Sequence, residues 1–537
     1  MGAEGARRIT SPNLSGKRTE TDDLPPYFLS VISLFRATDF VGDFFIFKKQ
    51  KRKAKNMEAI LLKIAQTINT YLSDYILIFL LVGVGLYYSI RTKFVQVRYF
   101  GEGMKNVFGN IKLKGGKQEG GLSSFQALAT AIAAQVGTGN IVGASGAILV
   151  GGPGAIFWMW IIAFLGMATI YAEATLAQKT KVTNPDGTVE GGPVYYIKSV
   201  FKGGFGKFLA GFFSVAAIIA LGFVGAMVQS NSIAENFAGV FTQFGADGTI
   251  VKIVVGVIVA AIAGFVLLGG VQRLASVTEK VVPVMACLYL LGGLVVLAVN
   301  IKNLPSAFGM IFKFAFTPTA IIGGSIGAAL KAAISQGAKR GLFSNEAGMG
   351  STPHAHALAN VKDPHTQGTT AMIGVFIDTF VVLTMTALIV ISTLYHDGTI
   401  TAAGAIEGVT KANMVQTAFQ NTFAVIFGKA AGDIIGSIFV AICLFFFAFS
   451  TILSWNYFGK VNFTSLFGKK SALVYSIIAI VFVFLGSIFQ NDLVWELTDM
   501  FNNLMVLPNA IALFALGGMV VSMTKFGKKN DLPEIKR

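Results

Sequence analysis

Apolar residues run in blocks of about twenty along most of this chain, and each block is closed by a short polar or basic segment. A membrane-crossing helix needs ~20 mostly apolar residues. Eleven stretches meet that length, centred near 73–91, 124–149, 153–178, 208–237, 250–269, 281–300, 318–338, 371–394, 432–458, 472–489 and 494–523. The pattern therefore predicts an all-α integral membrane protein with about eleven transmembrane helices. Two blocks are interrupted. Val136-Gly137-Thr138-Gly139-Asn140 falls inside the second, and Gly323-Gly324-Ser325-Ile326-Gly327 inside the seventh. A Gly-rich break at mid-span frees backbone groups that need partners, and in transporters those partners are substrate and coupling ion.

Counting helps place the spans. Set aside the first, and ten remain, five and five. An odd number per half obliges the second half to run inverted, and the two interrupted helices then open their halves. The expected architecture is two inverted five-helix repeats with broken first helices, plus one extra N-terminal span. Its segments are a non-family extension at 1–56, a peripheral span and basic loop at 57–121, repeats at 122–302 and 303–524, and a tail at 525–537. Tight helix packing is the competing explanation for the glycines.

Composition agrees with a membrane protein: 54% hydrophobic, 13% charged, 61 Gly and 47 Phe among 537 residues. The net charge is +16. Lys and Arg concentrate in alternate loops, at 91–121, 179–207, 270–280, 339–368 and 459–470 and in the tail. The positive-inside rule puts these loops and the C-terminus in the cytoplasm, which accounts for the charge without nucleic-acid binding. Residues 1–56 differ: they are polar, and their basic cluster at Lys48–Lys55 would lie outside. A translated upstream segment or appended remnant is the expectation there. Cys287 and Cys443 sit in apolar runs, so no disulfide framework is expected.

The block Gly151–Gly166, GGPGAIFWMWIIAFLG, and the block Lys339–Thr352, KRGLFSNEAGMGST, resemble the alanine or glycine:cation symporters, the sodium:alanine symporter family. The resemblance runs from Met57 to the C-terminus. It implies a leucine-transporter-like fold and import of small neutral amino acids with sodium, or with protons in some members, across the plasma (bacterial inner) membrane.

Several residues follow from the breaks. Unpaired N–H groups at a half-helix start suit a substrate carboxylate. By its likeness to the Val-Gly-x-Gly-Asn break, Gly137, Thr138 and Gly139 would hold that carboxylate, and the Asn140 side chain would ligate sodium. Helix capping is the alternative for Asn140. Gln229, an amide inside an apolar helix, would face the substrate, with a helix–helix bond as its alternative. Gly323, Ser325 and Gly327 would offer carbonyls to the ammonium. The resemblance implies an aromatic residue at the place of Ser325, hence a roomier pocket here. Phe447, Ser450 and Thr451 can share one helix face. The resemblance makes them a second sodium site, completed by backbone oxygens near Gln135 and Val136. Asp378 is the coupling candidate among charges at membrane depth, beside Glu173 and Lys331. Arg340 and Glu346 would form an inner gate. His354 and His356 lack metal-ligand company, so no transition metal is expected.

No nucleophile–base set or phosphate-binding loop occurs, so an enzyme or an ATP-driven pump is not expected, and no cofactor beyond Na⁺ (or H⁺). A channel and a non-transporting amino-acid sensor are the rivals. Oligomeric state, the side chain accepted and the coupling ion stay open at this stage.

Overall fold

The computed structural model describes residues 59–109, 121–185, 187–317, 326–395, 409–489 and 491–524. The architecture below is that of the unit Leu62–Arg537, whose first helix begins at Ala59. It is almost wholly helical, apart from a two-stranded ribbon. In that ribbon β1 (Val182–Thr183) pairs antiparallel with β2 (Val189–Glu190), Val182 opposite Glu190.

Helix α1 (Ala59–Arg91) is followed by the bent pair α2 (Ser124–Gln135) and α3 (Gly139–Gly151). Then come α4 (Gly154–Thr180), α5 (Pro193–Val200), α6 (Gly203–Thr242), α7 (Gly248–Leu268), α8 (Gly270–Val299) and α9 (Leu304–Phe316). The second half holds α10 (Ile326–Asn345), α11 (Pro353–His356), α12 (Pro364–Leu394), α13 (Met414–Phe427), α14 (Lys429–Phe467) and α15 (Lys469–Gly486). It ends in α16 (Asn491–Ala515) and α17 (Gly517–Met523). Among the described residues, eight helices are long and apolar enough to cross a membrane, and two bent pairs bring the number to ten. Ten of the expected spans have a counterpart here. The seventh, at 318–338, lies partly outside the described residues, and its described part runs on as α10 to Asn345.

Local chemistry sets the starts. Ser123 and Gln126 form a capping box at α2: the Ser123 hydroxyl accepts the Gln126 N–H and the Gln126 side chain accepts the Ser123 N–H, both at 3.1 Å. Asp363 caps α12 through the Thr366 N–H at 2.9 Å, with Pro364 in the first turn. Helices α9 and α13, read as loops from sequence, are short amphipathic pieces; α9 leaves Phe308, Phe312 and Phe316 exposed.

The Gly151–Gly166 block works as a packing platform. A Cβ on Gly154 would stand 2.2 Å from the Phe314 carbonyl carbon, and one on Gly151 3.1 Å from Ala333 Cα. The Trp158 indole donates to the Ala315 carbonyl at 3.1 Å and Trp160 to the Thr384 hydroxyl at 2.8 Å. So the end of α3 and the start of α4 seat α9, α10 and α12 through small residues and two indole bonds, which is how membrane helices approach closely.

Candidate functional site

The first break begins with two misdirected amides. In an unbroken helix the N–H groups of Gly137 and Thr138 would bond the carbonyls of Ala133 and Ala134. Here Gly137 N–H donates to the Asn140 side-chain oxygen at 3.0 Å, and Thr138 N–H to Gln229 Oε1 at 3.2 Å. Val136 leaves the helical region at φ −80°, ψ 87°, and the chain bends by 44° into α3.

The freed carbonyls meet α14. Thr451 Oγ1 lies 2.9 Å from Ala133 O, 3.3 Å from Ala134 O and 3.0 Å from Phe447 O. Ser450 Oγ lies 3.0 Å from Phe447 O and 3.4 Å from Ala133 O. Bonding of Ser or Thr back to the preceding turn is common, but the carbonyls of α2 come from another helix. Three carbonyls and two hydroxyls converge with only two hydroxyl protons among them, an oxygen-rich nest suited to a hard cation. The hydroxyls reach the carbonyls just before the expected Gln135 and Val136 oxygens, and the Asn140 N–H bonds Gly137 O at 3.2 Å, which turns it from Val136 O as well. The helical bond reaches back four residues, so turning away the amides of 137 and 138 bares the oxygens of 133 and 134. Gln135 instead spends its amide on the Asn345 carbonyl at 2.8 Å.

Asp378 sits in a π-helical stretch of α12, Phe376–Leu383, and is fully buried. Its Oδ1 accepts from Asn140 Nδ2 at 2.7 Å and from Ser344 Oγ at 3.0 Å. Its Oδ2 accepts from Ser344 at 3.0 Å and from Thr379 Oγ1 at 2.8 Å. All three donors are neutral. A buried carboxylate held only by neutral donors gains most from a mobile cation.

Asn140 thus joins the first break to Asp378. Its oxygen reaches back to Gly137 and not forward into α3, so it is no ordinary helix cap.

A further break follows the C-terminal end of α10. Helix α10 ends at Asn345, and the chain crosses Glu346 (φ 58°), Gly348 (φ 91°) and Gly350 (φ 80°) before α11. These left-handed angles end a helix and are costly for Glu346. A Cβ on Gly139 would lie 3.0 Å from Ser344 Cα and 3.2 Å from Phe343, so the first break packs on the last turn of α10. Gly323 and Ser325 lie outside the described residues, and Gly327 is in the first turn of α10. The expected break at 323–327 thus falls almost wholly outside the described residues, and 346–350 is a further break at the other end of α10. The break coincides with the Lys339–Thr352 block, read from sequence as a cytoplasmic loop.

Glu173 anchors this second break. Its Oε2 accepts the Gly348 N–H at 3.1 Å and its Oε1 the Asn509 amide at 2.6 Å. Asn509 also donates to Gly348 O at 2.9 Å and accepts from the Tyr196 hydroxyl.

The expected pair of Arg340 and Glu346 is not formed. Glu346 accepts from the Ser351 hydroxyl and, at 2.5 Å, from the Trp455 indole. Arg340 grips Asp499 of α16 with both nitrogens, at 3.1 and 3.2 Å, and Lys339 adds 2.8 Å. One turn and a half of helix separates Arg340 from the break, so the two side chains belong to different layers. Trp495 carries Arg340 at 5.2 Å and Lys411 at 4.8 Å from its ring centre. Burial, with Arg340 nearby, holds the Lys411 ammonium below the usual lysine range. Lys331, the third membrane-depth charge, reaches the Tyr75 hydroxyl at 3.0 Å.

Phe343, Ser344 and Trp455 went unnoticed in the sequence. Trp455 follows Thr451 by one helical turn, a spacing that was visible. Its ring stands edge-on to Phe343 at 5.7 Å, and a Cβ on Gly225 would touch it at 2.5 Å. Ser344 gave no local signal. Among the described residues no cluster of His, Cys, Asp and Glu could hold a metal ion.

Comparison with known proteins identifies the family. Residues 57–532 match the sodium:alanine symporter family. The chain is 40% identical to the "Sodium/alanine symporter AgcS" of Methanococcus maripaludis, over 86% of this chain and 96% of that one. It is 39% identical to an "Uncharacterized transporter" of Haemophilus influenzae, over 86% and 95%. It is 37% identical to the "Probable sodium/glutamine symporter GlnT" of Bacillus subtilis, over 87% and 91%.

Proposed function

The chain belongs to the sodium:alanine symporter family, and from that premise we propose that it imports a small neutral amino acid with sodium by alternating access. It is an integral membrane transporter of a symporter family. The choice of amino acid, the ion sites and the orientation are our reading. One observation carries it: two helix breaks, with α12 and α14, bring a buried carboxylate and a nest of freed carbonyls next to each other.

In this reading the nest of Ala133, Ala134, Phe447, Ser450 and Thr451 holds one sodium ion. Asn140 and Asp378, with Ser344, hold or balance a second cation. The substrate carboxylate takes the amides of Gly137, Thr138 and Gly139, displacing Gln229, which turns to the substrate. The carbonyls of the second break, 346–350, face the ammonium, and Phe343 and Trp455 bound the side chain. Sodium and substrate each tighten the other because both order the same break, and that linkage is reciprocal. Five helices in each half support the inverted repeat: α2/α3, α4, α6, α7 and α8, then α10/α11, α12, α14, α15 and α16/α17. The basic loops put the C-terminus in the cytoplasm of a plasma (bacterial inner) membrane.

Alanine is the first candidate and glutamine the second, since relatives named for each are similarly close. The test is uptake of labelled L-alanine into proteoliposomes under imposed Na⁺, H⁺ or K⁺ gradients, with glycine, serine and glutamine as competitors. Sodium-driven accumulation above equilibrium is expected. Simple equilibration would sink the symport reading.

The nest makes a separate prediction. Ser450→Ala with Thr451→Ala should raise the sodium needed for half-maximal uptake roughly tenfold or more, at ~1 kcal/mol per hydroxyl lost. An unchanged sodium requirement would remove these two residues from the ion site.

A further inference from the structure

We propose that the chain carries a binding site for an acidic phospholipid at the start of α6, apart from the transport site. A cavity of ≈ 430 Å³ opens there between α5, the first turns of α6 and the end of α14. Lys198, Lys202 and Lys207 line it, and no carboxylate does. Among the described residues Lys202 Nζ reaches a backbone oxygen, that of Lys198 at 3.4 Å, and no carboxylate. Three ammonium groups around one hollow repel each other unless an anion sits among them. The helix adds to the field: Lys202 precedes α6 without a side-chain cap, so the first amides of a long helix point at the same place. At the inner end lies Ser214, 0% exposed, whose hydroxyl has no partner among the described residues.

The walls show which anion fits. Phe201, Ala210 and Leu466 make the cavity apolar beyond the lysines. On the neighbouring flank of α6, about a third of a turn around from Lys207, Ala210 and Ser214, Phe205, Phe208, Phe212 and Val215 form one exposed face, at 55%, 67%, 36% and 49% exposure. Their spacing of three and four residues keeps them on a single stripe. An exposed Phe stripe of this kind faces lipid tails. A soluble phosphate would use the lysines and gain nothing from the stripe. A phospholipid uses both: its phosphate among the three lysines, an ester oxygen at Ser214, and its chains along the phenylalanines. The basic-loop count sets this end of α6 at the cytoplasmic leaflet, and basic pockets between helices there take acidic headgroups.

The test is native mass spectrometry of the purified full chain, titrated with phosphatidylglycerol, phosphatidylcholine or free glycerol phosphate. Wild type should hold phosphatidylglycerol in preference to the other two. The K198Q/K202Q/K207Q variant should bind it on the order of 100-fold more weakly. The control K469Q/K470Q, on the same face but outside the cavity, should change affinity less than about twofold. Equal binding by wild type and the triple variant overturns the proposal, and so does an equal loss in the control, which would mean generic surface charge. Glycerol phosphate binding as tightly as the lipid overturns it in favour of a soluble anion. If the triple variant does not fold, the three single Gln variants carry the test. Each should weaken phosphatidylglycerol binding about fivefold, and no change in any of them overturns the site.

Discussion

Asp378→Asn should cut sodium-driven uptake at limiting sodium by roughly 10- to 100-fold, the range set by losing hydrogen bonds to a buried charged group. The substitution keeps the shape of the side chain and removes its charge. Asn140, Ser344 and Thr379 all donate to this carboxylate. With asparagine, one of those donors faces an NH₂ and loses its acceptor. If Asp378 balances a cation, the half-maximal sodium concentration rises while the protein stays folded. If it is only a structural bond acceptor, thermal stability falls and the sodium requirement stays put. Measuring both in the same preparation separates the two, and a folded variant with wild-type sodium dependence would remove Asp378 from coupling.

Gly137→Ala should all but abolish transport, with an effect at least as large. A Cβ there would stand 2.3 Å from Thr451 Oγ1, 3.2 Å from Thr451 Cβ and 3.3 Å from Gln229 Oε1. Gly137 does not have a positive φ, so alanine meets no backbone strain; the glycine is needed for space. The methyl group would push α14 away from the first break and pull the Thr451 hydroxyl off the carbonyls of Ala133 and Ala134. Overpacking of this kind costs ~1–3 kcal/mol. Stability should survive that in a chain this large, while sodium-dependent substrate binding should not. Scintillation proximity binding of labelled alanine across a sodium titration checks it. Binding with wild-type sodium dependence would show that the break tolerates separation from α14, contrary to the proposed ion site.

The two predictions rest on residues of unequal visibility. Val136–Asn140 could be read directly, because glycines inside a 20-residue apolar run have few reasons to be there. Ser450 and Thr451 could be read from helical spacing, and Asp378 and Gln229 from their expense at membrane depth. The break at 346–350 could not, because its block is flanked by basic residues and reads as a loop. What makes 346–350 a break is Glu173, Asn509 and Trp455, which supply bonds to a backbone and side chain that would otherwise be unpaired. Glu173 lies 175 residues before Gly348, Asn509 161 after it, and Trp455 109 after Glu346, and no local pattern announces them. The Arg340–Glu346 pair failed for the same reason: six residues apart in sequence, each had a better partner on another helix.

The sequence by itself determined the membrane-spanning helices, their basic and apolar sides, the family, and the first break. Each of these follows from a local quantity: a run of apolar residues, a charge count, a motif, or a glycine in a costly place. Only the tertiary structure decided which carbonyls meet Ser450 and Thr451, that the chain breaks again at 346–350, and that the Gly151–Gly166 block seats other helices. Those outcomes depend on which donors and acceptors from distant helices come within 3 Å, and buried polar groups in lipid must take whatever partner the packing brings them.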